Sequence, residues 1–169
     1  MKNFPVIKDG KEYWVSRSVA VVGIVFCKIN GEIHVLANRR GKGAADFQGL
    51  WNVPCGYVDY DETLKGAVRR EVYEECGVDI PESKFNPAEY NDNPNENRQN
   101  ISVRFIAVLD SKSDNISVGT GINNRGGEKN EVEAIQWIPI KEIDNLDWAF
   151  NHEDLISKKF KFYKECLLV

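Results

Sequence analysis

The chain has 169 residues, enough for one domain with a proper core, and its balance of 42% apolar to 28% charged residues is ordinary for a globular protein. A net charge of −4 argues against a broad basic surface for duplex nucleic acid. No signal-like leader and no apolar run of about 18 residues is seen, so a protein of the reducing cytoplasm without a membrane partner is expected.

Phe4 to Val15 reads as a β-hairpin turning at Asp9-Gly10, and this hairpin is a candidate surface for homodimerisation. Ser18 to Ile29 is too uniformly apolar for a half-exposed strand and reads as a central strand buried on both faces. Asn30-Gly31 is a second tight turn, and Ile33 to Asn38 returns as the partner strand, ending at Arg39 and Arg40. Gly41 to Gly56 is a glycine-punctuated loop anchored by Leu50, Trp51 and Val53.

A helix is expected to follow. Asp61 or Glu62 is the candidate cap, with Thr63 next. Leu64, Val68, Val72 and Cys76 recur every fourth residue as one apolar stripe, and Gly77 sits where a left-handed residue ends a helix. Beyond it, Val78 to Ile80 reads as a short strand or edge, and Asn86 to Asn100 as a flexible polar loop. Ile101 to Leu109 is a strand, Asp110 to Asn130 a long loop, Val132 to Ile138 another strand, and Pro139 to Ile143 a helical turn. Asn151 is the candidate cap of a final helix whose Leu155, Ile156, Phe160 and Tyr163 would cover a sheet face. The pattern predicts a single domain, 1–169, of the α/β class: an α/β/α sandwich with a mixed β-sheet. Cys27, Cys55, Cys76 and Cys166 are scattered without a C-x-x-C pair, which argues against structural zinc.

The chemistry concentrates in the first helix. Glu71, Glu74 and Glu75 lie within roughly 100° of one another around its axis, beside the apolar stripe. Glu71 and Glu75 are a like-charge pair one turn apart, which costs a helix a few tenths of a kcal/mol. A divalent cation would remove that repulsion, and hard oxygen ligands suit Mg²⁺ or Mn²⁺.

The spacing decides between this reading and a solvated helix face. Gly56, Glu62, Arg70, Glu71, Val72, Glu74, Glu75, Gly77 and Val78 resemble the Nudix box, filling each of its defined positions. The resemblance implies a Nudix-type fold and a Mg²⁺- or Mn²⁺-dependent pyrophosphohydrolase. Its expected substrate is a nucleoside diphosphate linked to another group, such as a nucleoside triphosphate, ADP-ribose or a nucleotide sugar. The alternative is a non-catalytic nucleotide sensor on the same fold. The resemblance also implies the roles. Glu71, Glu74 and Glu75 would bind metal together with the carbonyl of Gly56. Glu74 or Glu75 would be the base, and Arg70 would fix a glutamate. Glu62 and Glu131 are further acidic candidates, with Glu128 and Glu133 as rivals to the latter. Arg39, Arg40 and Lys42 are candidate contacts for substrate phosphates. The paired glycines that often open the box are here Cys55-Gly56, which would alter the backbone's approach to the metal. Trp51 is expected to stand in the core, and His34 and His152 to be structural.

Overall fold

The computed structural model describes residues 2–97, 99–118 and 130–168, with side chains as far as Lys164. Strands β1 (Phe4–Lys8) and β2 (Lys11–Val15) form the expected hairpin as a two-stranded sheet of its own, with Asp9 and Gly10 both at positive φ. Ile7 and Trp14 stand exposed on it. The main sheet is built on β3 (Ser18–Ile29), which pairs parallel with β8 (Asn100–Asp110) and antiparallel with β4 (Glu32–Arg40). β9 (Val132–Pro139) covers the far edge of β4.

Alternation explains the uniform apolarity of β3. Val21, Val25 and Cys27 join the core beneath α1 (Leu64–Cys76), whereas Val22, Ile24 and Phe26 join the core beneath α2 (His152–Leu168). Helices thus lie on both faces of a mixed sheet, as expected. Between Val21 and Val25, Gly23 lets α1 settle on the strand: a Cβ there would stand 3.0 Å from Val68 and Val72 methyls. Leu155 and Ile156 are buried, and Phe160 and Tyr163 are packed at the rim of the same core.

The site is positioned by a divergence in the sheet. β3 and β4 are paired only between Phe26–Ile29 and Glu32–Val35. Further along, β4 takes β5 (Trp51–Asn52) as its partner on that edge, and β3 takes β6 (Cys55–Tyr57). Residues 51–57 therefore fill the wedge between the strands, fastened by Gly23 N donating to the Pro54 carbonyl at 2.8 Å. Trp51 is half-buried at the edge of the α2-side core. The expected loop from Gly41 to Gly56 thus contains two short strands.

Three expectations beyond α1 are corrected. Val78 to Ile80 is not a strand; Val78 and Ile80 are buried plugs of the α1-side core, leading to a 3-10 turn at Glu82–Lys84. Asn86 to Asn100 is not one flexible loop. Its first part is an edge strand, β7 (Asn86–Asn91), antiparallel to β8, with an irregularity after Pro87. An edge tolerates a residue with no N–H to donate. The remainder is fastened by Arg17, which donates to the carbonyls of Asp92, Asn97 and Asn100. Asn151 precedes α2 as expected, but with φ +57 in place of an N-cap's extended backbone. Most of the expected loop from Asp110 to Asn130, with the candidate Glu128, lies outside the described residues. Among the described residues no helix is long and apolar enough to cross a membrane.

Candidate active site

Helix α1 begins one residue later than its acidic candidates. Thr63 is the N-cap, its hydroxyl oxygen accepting from Gly66 N at 3.0 Å, worth about 1 kcal/mol. Gly77 closes the helix at φ +75, its N–H donating to the Tyr73 carbonyl. With Asp61 and Glu62 released from capping, Glu62 turns toward Arg70.

Arg70 is the hub of the acidic cluster. Its Nε and Nη2 donate to the two carboxylate oxygens of Glu62 at 3.1 and 2.6 Å, and Nη2 also donates to the Tyr57 carbonyl at 2.8 Å. Its Nη1 donates to Glu71 Oε1 at 2.7 Å and to Glu74 Oε2 at 3.3 Å. The guanidinium is held charged well above its ordinary range, first by its hydrogen bonds with Glu62. The same contact holds the Glu62 carboxyl below the usual carboxylate range, assisted by the Asp59 N–H. Arg70 thus contacts three glutamates at once, with Glu62 as its counter-ion.

Glu71 and Glu75 are buried in the floor of the site. Burial pushes the Glu71 carboxyl up to about 7, opposed by Arg70 and reinforced by the charges of Glu74 and Glu131. Glu75 is raised well above the ordinary range by burial, then by Glu71 and Glu131. Against that, Glu75 Oε2 accepts from Asn38 Nδ2 at 2.7 Å and from the Cys55 N–H at 3.2 Å. Cys55 therefore serves through its backbone. Its buried thiol, pushed up by burial and by Glu75, lies 3.7 Å from Asn52 Nδ2 and borders the α2-side core. At the position of the missing first glycine, the backbone N–H is thus directed at Glu75. Gly56 is different: a Cβ there would stand 2.2 Å from Glu71 Oε1, so the glutamate occupies the space that the glycine leaves open.

The raised Glu71 has a thermodynamic consequence. An acid with a folded pKa above its unfolded value adds stability below about pH 4.5 and loses it as pH rises through about 7. In EDTA, Glu71→Gln is therefore expected to gain on the wild type between pH 5 and pH 8, by up to on the order of 3 kcal/mol. Denaturant melts of both proteins at the two pH values check this; an unchanged difference would contradict it.

The other candidates are placed as follows. Glu131 is half-buried at the mouth of β9; its charge acts on both Glu71 and Glu75, and its carbonyl accepts from Gly41 N at 2.6 Å. Its rival Glu133 instead pairs with Arg39 Nε at 3.0 Å. Arg39 also donates to the Gly49 carbonyl, and buried Arg40 holds Asp46 and lies 5.1 Å from the Phe150 ring centroid. Both arginines are thus engaged in ordering loop 41–50, while Lys42 is exposed. His152, expected to be structural, is buried. Its buried ring, pushed down to about 3 by burial, is neutral, and Nδ1 accepts from Val53 N at 3.2 Å. His34 Nδ1 lies 3.1 Å from the Glu32 carbonyl. Asn38 was legible only as the end of a strand; the signal was a lone carboxamide closing a run of buried apolar residues.

The residues suit a hard divalent cation in chemistry. The donors are carboxylates, the site holds more acid than Arg70 neutralises, and Gly56 clears the space around Glu71. As the described side chains stand, no three Asp, Glu, His or Cys residues are arranged to hold an ion. The group that bridges Glu71 and Glu74 is Arg70 Nη1.

Comparison with known proteins gives the family and the fold. ADP-ribose pyrophosphatase of Methanocaldococcus jannaschii is 26% identical over 152 residues, covering 89% of this chain and 78% of its own length. ADPR responsive transcriptional repressor NtrR of Acinetobacter baylyi is 22% identical over 138 residues, covering 80% of this chain and 50% of its own. The chain spans about half the length of several curated relatives it matches. Among solved structures, the NUDIX domain of Shewanella oneidensis NrtR complexed with ADP ribose superposes with a TM-score of 0.70 at 21% identity, covering 87% of this chain and 88% of that one, a likeness of fold. The NUDIX domain family model matches residues 17–159, and the chain belongs to the Nudix family.

Proposed function

We propose that this chain, as one domain over 1–169, hydrolyses a pyrophosphate bond in a nucleoside diphosphate joined to a second group, with Mg²⁺ or Mn²⁺ as cofactor. The observation that carries this reading is the gathering of Glu62, Glu71 and Glu74 about Arg70, with Glu75 buried beside them and Gly56 open above Glu71. Glu71, Glu74 and Glu75 would hold the cation with the Gly56 carbonyl, and Glu62 and Glu131 would add negative charge nearby. A divalent ion so held neutralises a diphosphate and lowers the pKa of a bound water. Arg70 orients Glu71 and Glu74 through one nitrogen, so that both carboxylates keep a fixed aspect toward the substrate. Glu74 and Glu75 are the candidates for accepting the proton of the attacking water. Lys42, exposed on the loop that Arg39 and Arg40 order, is the cation offered to substrate phosphate.

Of the substrate classes, ADP-ribose is favoured over a nucleoside triphosphate or a nucleotide sugar, because relatives carry it in their names. The test is incubation of purified protein with a panel of these nucleotides in Mn²⁺, then in EDTA, with products identified by mass. Metal-dependent release of AMP from ADP-ribose is expected, and no turnover of any nucleotide by folded protein would overturn the reading. A sensor is the second reading, favoured by the Acinetobacter relative's description as a repressor. Tight binding of ADP-ribose without products would select it.

A further inference from the structure

We infer that Asn38 is a positioning residue for Glu75, so that this glutamate is oriented from the sheet as well as from its own helix. The inference rests on the functional reading above and assigns a role to a residue outside the box.

Asn38 is 1% exposed and stands on a strand whose preceding residues Val35, Leu36 and Ala37 are all buried and apolar. A carboxamide at such a position is unfavourable unless its donors are used. The donation at 2.7 Å goes to Glu75 Oε2, and the same nitrogen lies 3.9 Å from Cys76 Sγ. The Cys55 N–H reaches the same Oε2. Two donors from two different strands thus converge on one oxygen of one carboxylate.

The location explains how Asn38 reaches Glu75. Asn38 sits where β4 has left β3 and paired with β5, opposite Asn52. Cys55 lies across the wedge on β6, paired with Val22 of β3. Glu75 therefore meets both sides of the divergence. Glu74, by contrast, meets Arg70 on its own helix. Geometry at a carboxylate ligand is set by such hydrogen-bonding partners.

The test separates positioning from simple core satisfaction. Asn38→Leu removes the donor at similar volume. The expected result is a wild-type circular dichroism spectrum and a kcat lowered about 10–100-fold, with KM changed by less than about threefold. Mn²⁺ binding, read from the free-ion electron paramagnetic resonance signal, should weaken by about 10-fold or more. Because Asn38 acts through Glu75, the same substitution on a Glu75→Gln background is expected to remove no further activity and to leave Mn²⁺ affinity where Glu75→Gln put it. Wild-type values of kcat and Mn²⁺ affinity in Asn38→Leu would overturn the inference, as would an undiminished loss on the Glu75→Gln background. Should Asn38→Leu not fold, Asn38→Ser removes the carboxamide without bulk and carries the same expectations. Wild-type protein that turns over nothing and binds no Mn²⁺ would bring down the functional reading and this inference together. An active wild type with an unaffected Asn38→Leu would bring down the inference alone.

Discussion

Glu75→Gln is expected to lower kcat by about 100- to 1,000-fold while leaving the protein folded. The substitution conserves volume in a site that tolerates little change, since Glu75 is 6% exposed. Its amide oxygen can still accept from Asn38 Nδ2 and the Cys55 N–H, so the local hydrogen bonds survive. What disappears is a buried negative charge that burial, Glu71 and Glu131 already disfavour. The metal-free variant should therefore melt at or above the wild-type temperature at pH 8. Loss of activity without loss of stability marks the charge as serving the reaction and not the fold. Steady-state kinetics with ADP-ribose and Mn²⁺, beside thermal melts in EDTA, check both halves. Full activity in this variant would remove Glu75 from the site.

Gly56→Ala is the second large effect, and it also splits stability from activity. The added methyl would lie 2.2, 2.4 and 2.6 Å from Glu71 Oε1, Cδ and Oε2. Those atoms end a flexible side chain, so the clash is relieved by swinging the carboxylate away, at small cost to the fold. The relief breaks the 2.7 Å contact with Arg70 Nη1 and displaces a proposed metal ligand by more than an ångström. Misplacement on that scale costs on the order of 100-fold in rate. The expected variant has a melting temperature close to that of the wild type, about 100-fold lower kcat, and a raised Mn²⁺ requirement. Near-normal kinetics would show that Glu71 need not stand over residue 56.

Much of this arrangement was legible because it is local. The stripe Leu64, Val68, Val72 and Cys76 and the terminal glycine define α1, although Leu64 at its start remains 39% exposed. The glutamates inherit their common direction from that helix. Gly56 and Glu62 were legible through their spacing, while their physical purposes were not. Glu62 looked like a cap until Thr63 took that place, and Gly56 needs room for Glu71 and no unusual backbone angle. What stayed hidden depends on partners distant in sequence. β7 looked like a loop because Pro87 and several asparagines suppress strand propensity, which an edge beside β8 overrides. Asn38 resembled the end of a strand because its partner, Glu75, lies far along the chain. Arg39 and Arg40 looked available to phosphates because nothing local announced Glu133 or Asp46 as their partners.

The long parallel pairing of β3 with β8 bears on how the chain assembles. It joins Ser18 to Asn100 and Lys28 to Asp110, so the spine of the sheet cannot zip from a neighbouring turn. A large loop must close before the central ladder gains anything, which places this chain among slower folders. Helix α1 lies inside that loop. The contacts of Glu71 and Glu75 with Arg70, Asn38, Cys55 and Gly56 also lie inside it, so the acidic cluster is wired by shorter-range partners than the sheet's own spine.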